Sequence, residues 1–196
     1  MIEIKNLSLS YEGEEVIRNF SLHVKKGEKI ALMGPSGCGK TSLLRCVSGL
    51  VRPDKGSVSC RGQISCVFQE PRLLPWLSAV KNINAVLSDS PATEPEALKW
   101  LKAVGLGEDA HKLPSQLSGG MQQRLNIARA LAYGGDILLL DEPMKGMDSE
   151  TARSVARLIR DSSRDKTVIL VTHDEEEAGV FADRIYRYEN KSFVLK

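Results

Sequence analysis

The chain has 196 residues, enough for one domain, or one domain with an added lobe, around a proper hydrophobic core. Its 27 Lys and Arg against 25 Asp and Glu leave a net charge of +2, and no segment is basic enough for a nucleic-acid-binding or polybasic membrane arm. The longest apolar runs, such as Ile137–Leu140 and Val168–Val171, are far too short to span a bilayer, so a membrane role requires a separate membrane subunit.

The start, MIEIKNLSLS, alternates polar and apolar residues and lacks the apolar core of a signal peptide. Cys38, Cys46, Cys60 and Cys66 form no C-x-x-C pair. Neither zinc nor a disulfide framework is indicated, and reducing cytosol is the default. From Ile2 to Val24 the pattern has period two: Ile2, Ile4, Leu7 and Leu9 form one apolar set, and Phe20, Leu22 and Val24 another. With Glu12-Gly13-Glu14 as the turn, this predicts an antiparallel β layer. Tyr11 closes its first strand, where a ring can stack on a nucleotide base or simply end a strand.

Lys29–Met33 is a short apolar run suited to a buried parallel strand, and it leads into Gly34-Pro-Ser-Gly-Cys-Gly-Lys-Thr41. That octapeptide fits the phosphate-loop pattern G-x-x-x-x-G-K-[ST], and Leu43, Leu44, Val47 and Leu50 follow it at helical spacing. Gly34, Gly37 and Gly39 let the backbone curl so that the N–H groups of Pro35-Ser36-Gly37-Cys38 and their neighbours converge, proline excepted, at a helix N-terminus. Lys40 can then reach the outer phosphates of ATP, and the Thr41 hydroxyl can hold Mg²⁺. Inside this loop the thiol of Cys38 is expected to have a lowered pKa and raised reactivity.

Arg52–Gly56 is turn chemistry, followed by short strands at Ser57–Cys60 and Gln63–Phe68. From Arg72 to Tyr133 the character is helical. Thr93 and Glu96 have capping-box spacing, ahead of a core stripe of Ala97, Leu98, Leu101 and Val104. Leu73, Leu74, Pro75 and Trp76 either fill that lobe's core or form a partly exposed groove. Asp136–Glu142 reads as a buried strand ending in two acids, and Ala152, Val155, Ala156 and Ile159 mark an amphipathic helix. Thr167–Val171 is another buried strand, ended by Thr172-His173, before a helix over 174–182 and a terminal strand pair. Apolar strands alternating with helices predict an α/β fold: a phosphate-loop NTPase core with a mainly parallel sheet, an antiparallel β layer and an inserted helical subdomain.

In such sheets ligands bind at the carboxyl ends of the strands, where the phosphate loop, Asp141-Glu142 and His173 all fall. Asp141 fits the Mg²⁺ site. Glu142 is placed to orient and deprotonate a water attacking the γ-phosphate, and His173 to contact that phosphate. Ser118-Gly119-Gly120 opens a helix and is a second anion-ready N-terminus. Either it is a plain cap, or it meets phosphate belonging to another molecule.

Over nearly its whole length the sequence resembles the ATPase subunits of ABC transporters. The resemblance rests on GPSGCGKT, Gln69 as the Q-loop glutamine, LSGGMQQR at 117–124 as the signature, DILLLDEP at 136–143, Gly146-Met147-Asp148 as the D-loop, and His173 as the switch histidine. It implies a single ATPase domain over 1–196, with a core of 1–71 and 134–196 and a helical signature subdomain of 72–133. It also implies a homodimer, or a pair with a like subunit, sandwiching two ATP molecules. Each lies between one subunit's phosphate loop and the other's Ser118, Gly119 and Gly120, with Asp148 beside it and Gln69 sharing Mg²⁺ with Thr41 and Asp141. The implied partner is an integral membrane permease, which holds the subunit at the cytoplasmic face of the membrane; no nucleic acid is implied.

Within the family, FQEPRLLPW at 68–76 is similar to the ATPases of nitrate, sulfonate and taurine importers, whereas exporter and cell-division ATPases differ in their membrane partner. The 78 positions from Lys40 to Ser118 leave no room for the long coiled coil of DNA-repair and chromosome-organising relatives. Met147 stands where leucine usually precedes the D-loop aspartate, and Met144-Lys145 where a small or aromatic pair is commoner.

Overall fold

The computed structural model describes residues 1–11, 13–88 and 91–195. Glu12 of the expected first turn, Asp89 and Ser90 of the helical stretch and the terminal Lys196 lie outside the described residues. Along the chain run β1 (Ile2–Tyr11), β2 (Glu14–Val24), β3 (Lys29–Met33), α1 (Lys40–Val47), β4 (Lys55–Cys60) and β5 (Ile64–Val67). There follow α2 (Ala79–Asn84), α3 (Glu94–Ala103), α4 (Gly119–Tyr133), β6 (Ile137–Asp141) and α5 (Ser149–Ser162). β7 (Thr167–Thr172), α6 (Glu175–Phe181), β8 (Arg184–Glu189) and β9 (Ser192–Leu195) complete the order. The chain divides into two compact units, Met1–Cys66 with Asp136–Glu142 and Ser163–Lys196, and Val67–Gly135 with Pro143–Ser162.

The first unit holds an antiparallel sheet of order β2-β1-β4 and the six-stranded sheet β5-β6-β7-β3-β8-β9. In the larger sheet β6, β7, β3 and β8 are mutually parallel, and β9 runs antiparallel to β8. Alternation then sorts the side chains. Ile30, Leu32, Ile137, Leu139, Ile169 and Val171 enter one core with the antiparallel sheet and with Leu43, Leu44 and Val47 of α1. Ala31 and Met33, one residue out of phase, pack on Ala178 of α6. Both faces are covered, so the central strands read as unbroken apolar runs. Each fully buried leucine of α1 contributes about 1.5–3 kcal/mol by leaving water. Leu50 does not join them. The helix ends at Val47, Gly49 turns the chain at φ 77°, and Leu50 stays exposed.

In β1 the apolar set slips phase between Ile4 and Leu7, yet Ile2, Ile4, Leu7 and Leu9 are all buried. The pairing register shifts there, against both β2 and β4, where Asn6 takes a left-handed φ of 49°. An extra residue at such a bulge returns the strand to the correct face.

The second unit is built on α2, α3 and α4, whose Ile83, Leu101 and Leu125 meet in a core joined by Ala97 and Val104 of the expected stripe. Leu98 is only partly buried against it. The capping box at Thr93 does not form. Thr93 precedes α3, but its hydroxyl donates to Asn84 Oδ1 in the preceding helix, and no side chain caps the start. A tertiary partner outcompetes the local one. Among the described residues no helix is long and apolar enough to cross a membrane.

Candidate nucleotide site

The phosphate loop follows from β3 ending at Met33 and α1 starting at Lys40. At Gly34 a Cβ would lie 2.7 Å from Tyr188 Cβ and 2.9 Å from Cys38 Sγ, so no side chain fits. Gly39 caps α1 at φ 97°, a conformation that L side chains resist. Lys40 is buried in the concavity, where its Nζ donates to the carbonyls of Gly34 at 2.7 Å and Pro35 at 2.8 Å. Pro35, Ser36 and Gly37 form the exposed crown of the loop. The first bond onto Gly39 comes from Leu43 N at 2.8 Å, leaving first-turn N–H groups without an intrahelical carbonyl. An ammonium beside a helix start with free N–H groups is chemistry for an anion that displaces the two carbonyls.

Cys38 corrects an expectation. Its thiol is buried, and that burial pushes the pKa up, although Lys40, 3.9 Å away, pulls it down. Desolvation outweighs the single neighbouring charge, so the thiol is held protonated at neutral pH.

At the ends of the neighbouring parallel strands stand the acids. Asp141 pairs in register with Val171, and Glu142 N donates to Val171 O at 2.9 Å. Asp141 is 1% exposed; burial raises its carboxyl pKa, opposed by a hydrogen bond from the Thr41 hydroxyl and by the charges of Lys40 and Arg45. Its Oδ2 is buried with no hydrogen-bond partner among the described residues. A hydroxyl bonded to a carboxylate whose second oxygen is unsatisfied fits a small hard cation such as Mg²⁺. Glu142 turns at a left-handed φ of 46°, and its Oε1 lies 3.5 Å from His173 Nδ1. His173 is largely exposed and shares a cavity of about 310 Å³ with Gly34 and Tyr188. Tyr11 lies at the end of β1, paired with Glu14 and 42% exposed.

The second unit gathers the other candidates. Ser118 is the N-cap of α4, its hydroxyl accepting from Met121 N at 3.3 Å. Gln69, Ser118, Gly119, Gly120, Lys145 and Asp148 line one cavity of about 600 Å³. A Cβ on Gly120 would lie 3.2 Å from Gly146 O, so the helix start and the loop of Asp148 approach closely. Asp148 also caps α5, accepting from Thr151 N at 2.9 Å and Glu150 N at 3.1 Å, and the Thr151 bond holds its carboxyl below the usual range.

Sequence reasoning passed over two asparagines. Buried Asn82 accepts from Leu74 N and donates to the carbonyls of Leu74, Leu77 and Ser78, fixing the loop that carries Trp76. Asn126 donates to Phe68 O at 3.1 Å, next to Gln69. A polar residue inside an apolar helical stripe was the available signal for both.

A phosphate loop on a parallel sheet, with a strand-end Asp-Glu pair and a histidine just past the next strand, defines a phosphate-loop nucleoside triphosphatase. The model of the family described as ABC transporter matches residues 17–145. An aliphatic sulfonates import ATP-binding protein of Pseudomonas syringae is 38% identical over 204 residues, which cover 99% of this chain and 75% of that protein. Another, from Streptomyces avermitilis, is 41% identical over 186 residues, covering 94% and 71%. Among solved structures, the post-hydrolysis dimer of the ATP-binding cassette MJ0796 with ADP and Pi superposes with a TM-score of 0.92 at 31% identity, over 100% of this chain and 98% of that one. A second dimeric structure of that bacterial ABC transporter cassette gives 0.91 at 33%, over 98% and 96%. This chain belongs to the ABC transporter ATPase family. It binds and hydrolyses ATP as the subunit that powers an ABC transporter.

Proposed function

We propose that this ATPase drives import of a small anionic or organic solute, with an organic sulfonate as the first candidate. The observation that carries this reading is identity of about 40% over nearly the whole chain to aliphatic sulfonates import ATP-binding proteins. The proposed assembly is a dimer of this chain, or a pair with a like subunit, peripheral to the cytoplasmic face of the membrane through an integral permease. No nucleic acid takes part. The two dimeric cassettes among the solved structures support the pairing.

In this reading residues 1–196 act as one ATPase domain, with 1–71 and 134–196 as core and 72–133 as signature subdomain. The N–H groups from Gly34 to Thr41, Pro35 excepted, and the Lys40 ammonium bind the phosphates, and Tyr11 stacks on the base. Thr41 and Asp141 are the groups that would hold Mg²⁺, and the family resemblance adds Gln69. The ion would neutralise phosphate charge. Glu142 takes a proton from the attacking water, while His173, in reach of that carboxylate, contacts the γ-phosphate. Ser118, Gly119 and Gly120, with Asp148 nearby, receive the phosphate of the partner copy's ATP.

Trp76 and the neighbouring Leu73–Pro75 segment would receive a helix of the permease. Leu73 packs toward the helical core, but Trp76 is 72% exposed, on a loop anchored by Asn82. Purifying the chain with the membrane protein that accompanies it, and reconstituting both in liposomes, tests the proposal. ATPase activity should rise with an aliphatic sulfonate and its binding protein on the side opposite the ATPase. Stimulation only by a solute leaving from the ATPase side would refute import.

A further inference from the structure

Past His173 the chain is clamped by a side-chain chain of contacts that the proposed mechanism does not use. Thr172 is the last residue of β7 and 1% exposed. Its hydroxyl accepts from Asp174 N at 3.0 Å and donates to Glu177 Oε2. Asp174 in turn caps α6, its Oδ1 accepting from Glu176 N at 2.8 Å and Glu177 N at 3.1 Å. One hydroxyl thus ties the residue before His173 to the residue after it and to a carboxylate one turn into the helix. Every link lies within five residues, so the turn closes on itself with His173 at its apex.

Glu177 is not an ordinary surface acid. Its Oε1 is buried and has no hydrogen-bond partner among the described residues, which costs stability that an apolar residue would avoid. Burial raises its carboxyl pKa, the Thr172 bond opposes that rise, and the charges of Asp174, His173 and Glu142 all reach it. What the acid supplies at that cost is the acceptor for Thr172. We propose that Glu177 is a positioning residue for ATP hydrolysis: through Thr172 it fixes the turn that presents His173 to Glu142. This rests on the roles proposed above for His173 and Glu142.

The test compares steady-state ATPase kinetics of Glu177→Ala, Glu177→Gln, Thr172→Val, His173→Ala and the double variant Glu177→Ala/His173→Ala. Glu177→Ala and Thr172→Val should lower kcat by roughly 10–100-fold, the scale of a small displacement of a positioned group. The KM for ATP should stay within about twofold, because ground-state binding is untouched. Glu177→Gln keeps an acceptor oxygen and should recover most of what alanine loses. With His173 already replaced, removing Glu177 should cost nothing further. Wild-type kcat in both Glu177→Ala and Thr172→Val, or a loss that adds in full to that of His173→Ala, would overturn the proposal. Thr172→Val conserves volume and reads the same clamp should the alanine variant fold poorly. If His173→Ala itself turned over at the wild-type rate, the role of His173 would fall, and the positioning role with it. If His173→Ala lost activity while Glu177→Ala and Thr172→Val did not, only the role of Glu177 would fall.

Discussion

Glu142 and His173 extend from adjacent parallel strands and meet side chain to side chain, with Oε1 and Nδ1 3.5 Å apart. The register of β6 on β7 sets this meeting. Asp141 lies opposite Val171, and Glu142 N continues the ladder onto Val171 O at 2.9 Å, so Glu142 is level with Thr172 and His173 follows one residue beyond. The left-handed φ of 46° at Glu142 aims its carboxylate away from the line of β6. A carboxylate within reach of a histidine at the end of a buried strand is placed for general-base work.

Replacing Glu142 with Gln should therefore leave ATP binding intact and slow hydrolysis by roughly 10²–10⁴-fold, the usual worth of a positioned general base. Nucleotide affinity by fluorescence titration and phosphate release by a coupled assay separate the two effects. Near-wild-type turnover would remove Glu142 from the chemistry.

Cys38 should be a slow nucleophile at neutral pH. Because burial raises its pKa, the thiolate is the minor form there, and its fraction grows about tenfold per pH unit until the pKa is reached. Alkylation at Cys38, followed by peptide mass spectrometry, should quicken accordingly from pH 7 to pH 9, abolish ATPase activity, and be blocked by Mg-ATP. A rate flat across that range would mean that Lys40 outweighs burial after all.

Much of this architecture was legible in the residues because motif and hydrophobic period agreed. The run Lys29–Met33, the glycines of the loop and the acids after Ile137–Leu140 each allowed one local geometry. One misreading arose from an adjacent glycine, and the others where surrounding structure decided a local matter. Leu50 continues a helical pattern that Gly49 has already ended. Thr93 caps nothing because Asn84 takes its hydroxyl, and Cys38 is governed by the burial around it rather than by the charge beside it. For Asn82 and Asn126 spacing offers only a polar residue in an apolar stripe and does not name the partner, and the Thr172–Glu177 bond is no better marked. Their partners are known only once helix and loop have packed.

Trp76 offers a test of the permease surface. Its ring is mostly in water and its loop is held by Asn82 rather than by the ring itself. Trp76→Ala should change the stability of the isolated chain by no more than a surface substitution does, within about 0.5 kcal/mol, and so barely move its melting temperature. Co-purification with the membrane subunit should fall sharply in the same variant. The opposite ranking, a large melting shift with assembly preserved, would return Trp76 to a packing role.

The central claim is that each ATP is shared, held by the phosphate loop of one copy and by Ser118 of the other. Ser118 caps the glycine-rich start of α4, and a second glycine-rich helix start already carries Lys40, so the chain has two places suited to one phosphate chain. In a Glu142→Gln background, which retains ATP, Lys40→Ala and Ser118→Arg should each fail to dimerise. The first loses phosphate binding, and the second places a bulky side chain where the partner's phosphate must sit. Mixed, they can form a dimer in which one site carries both defects and the other carries neither. The deciding measurement is sedimentation velocity of that mixture at saturating Mg-ATP. The shared-site account predicts that a dimer species absent from both single variants reappears. A mixture sedimenting no faster than either variant alone would contradict it.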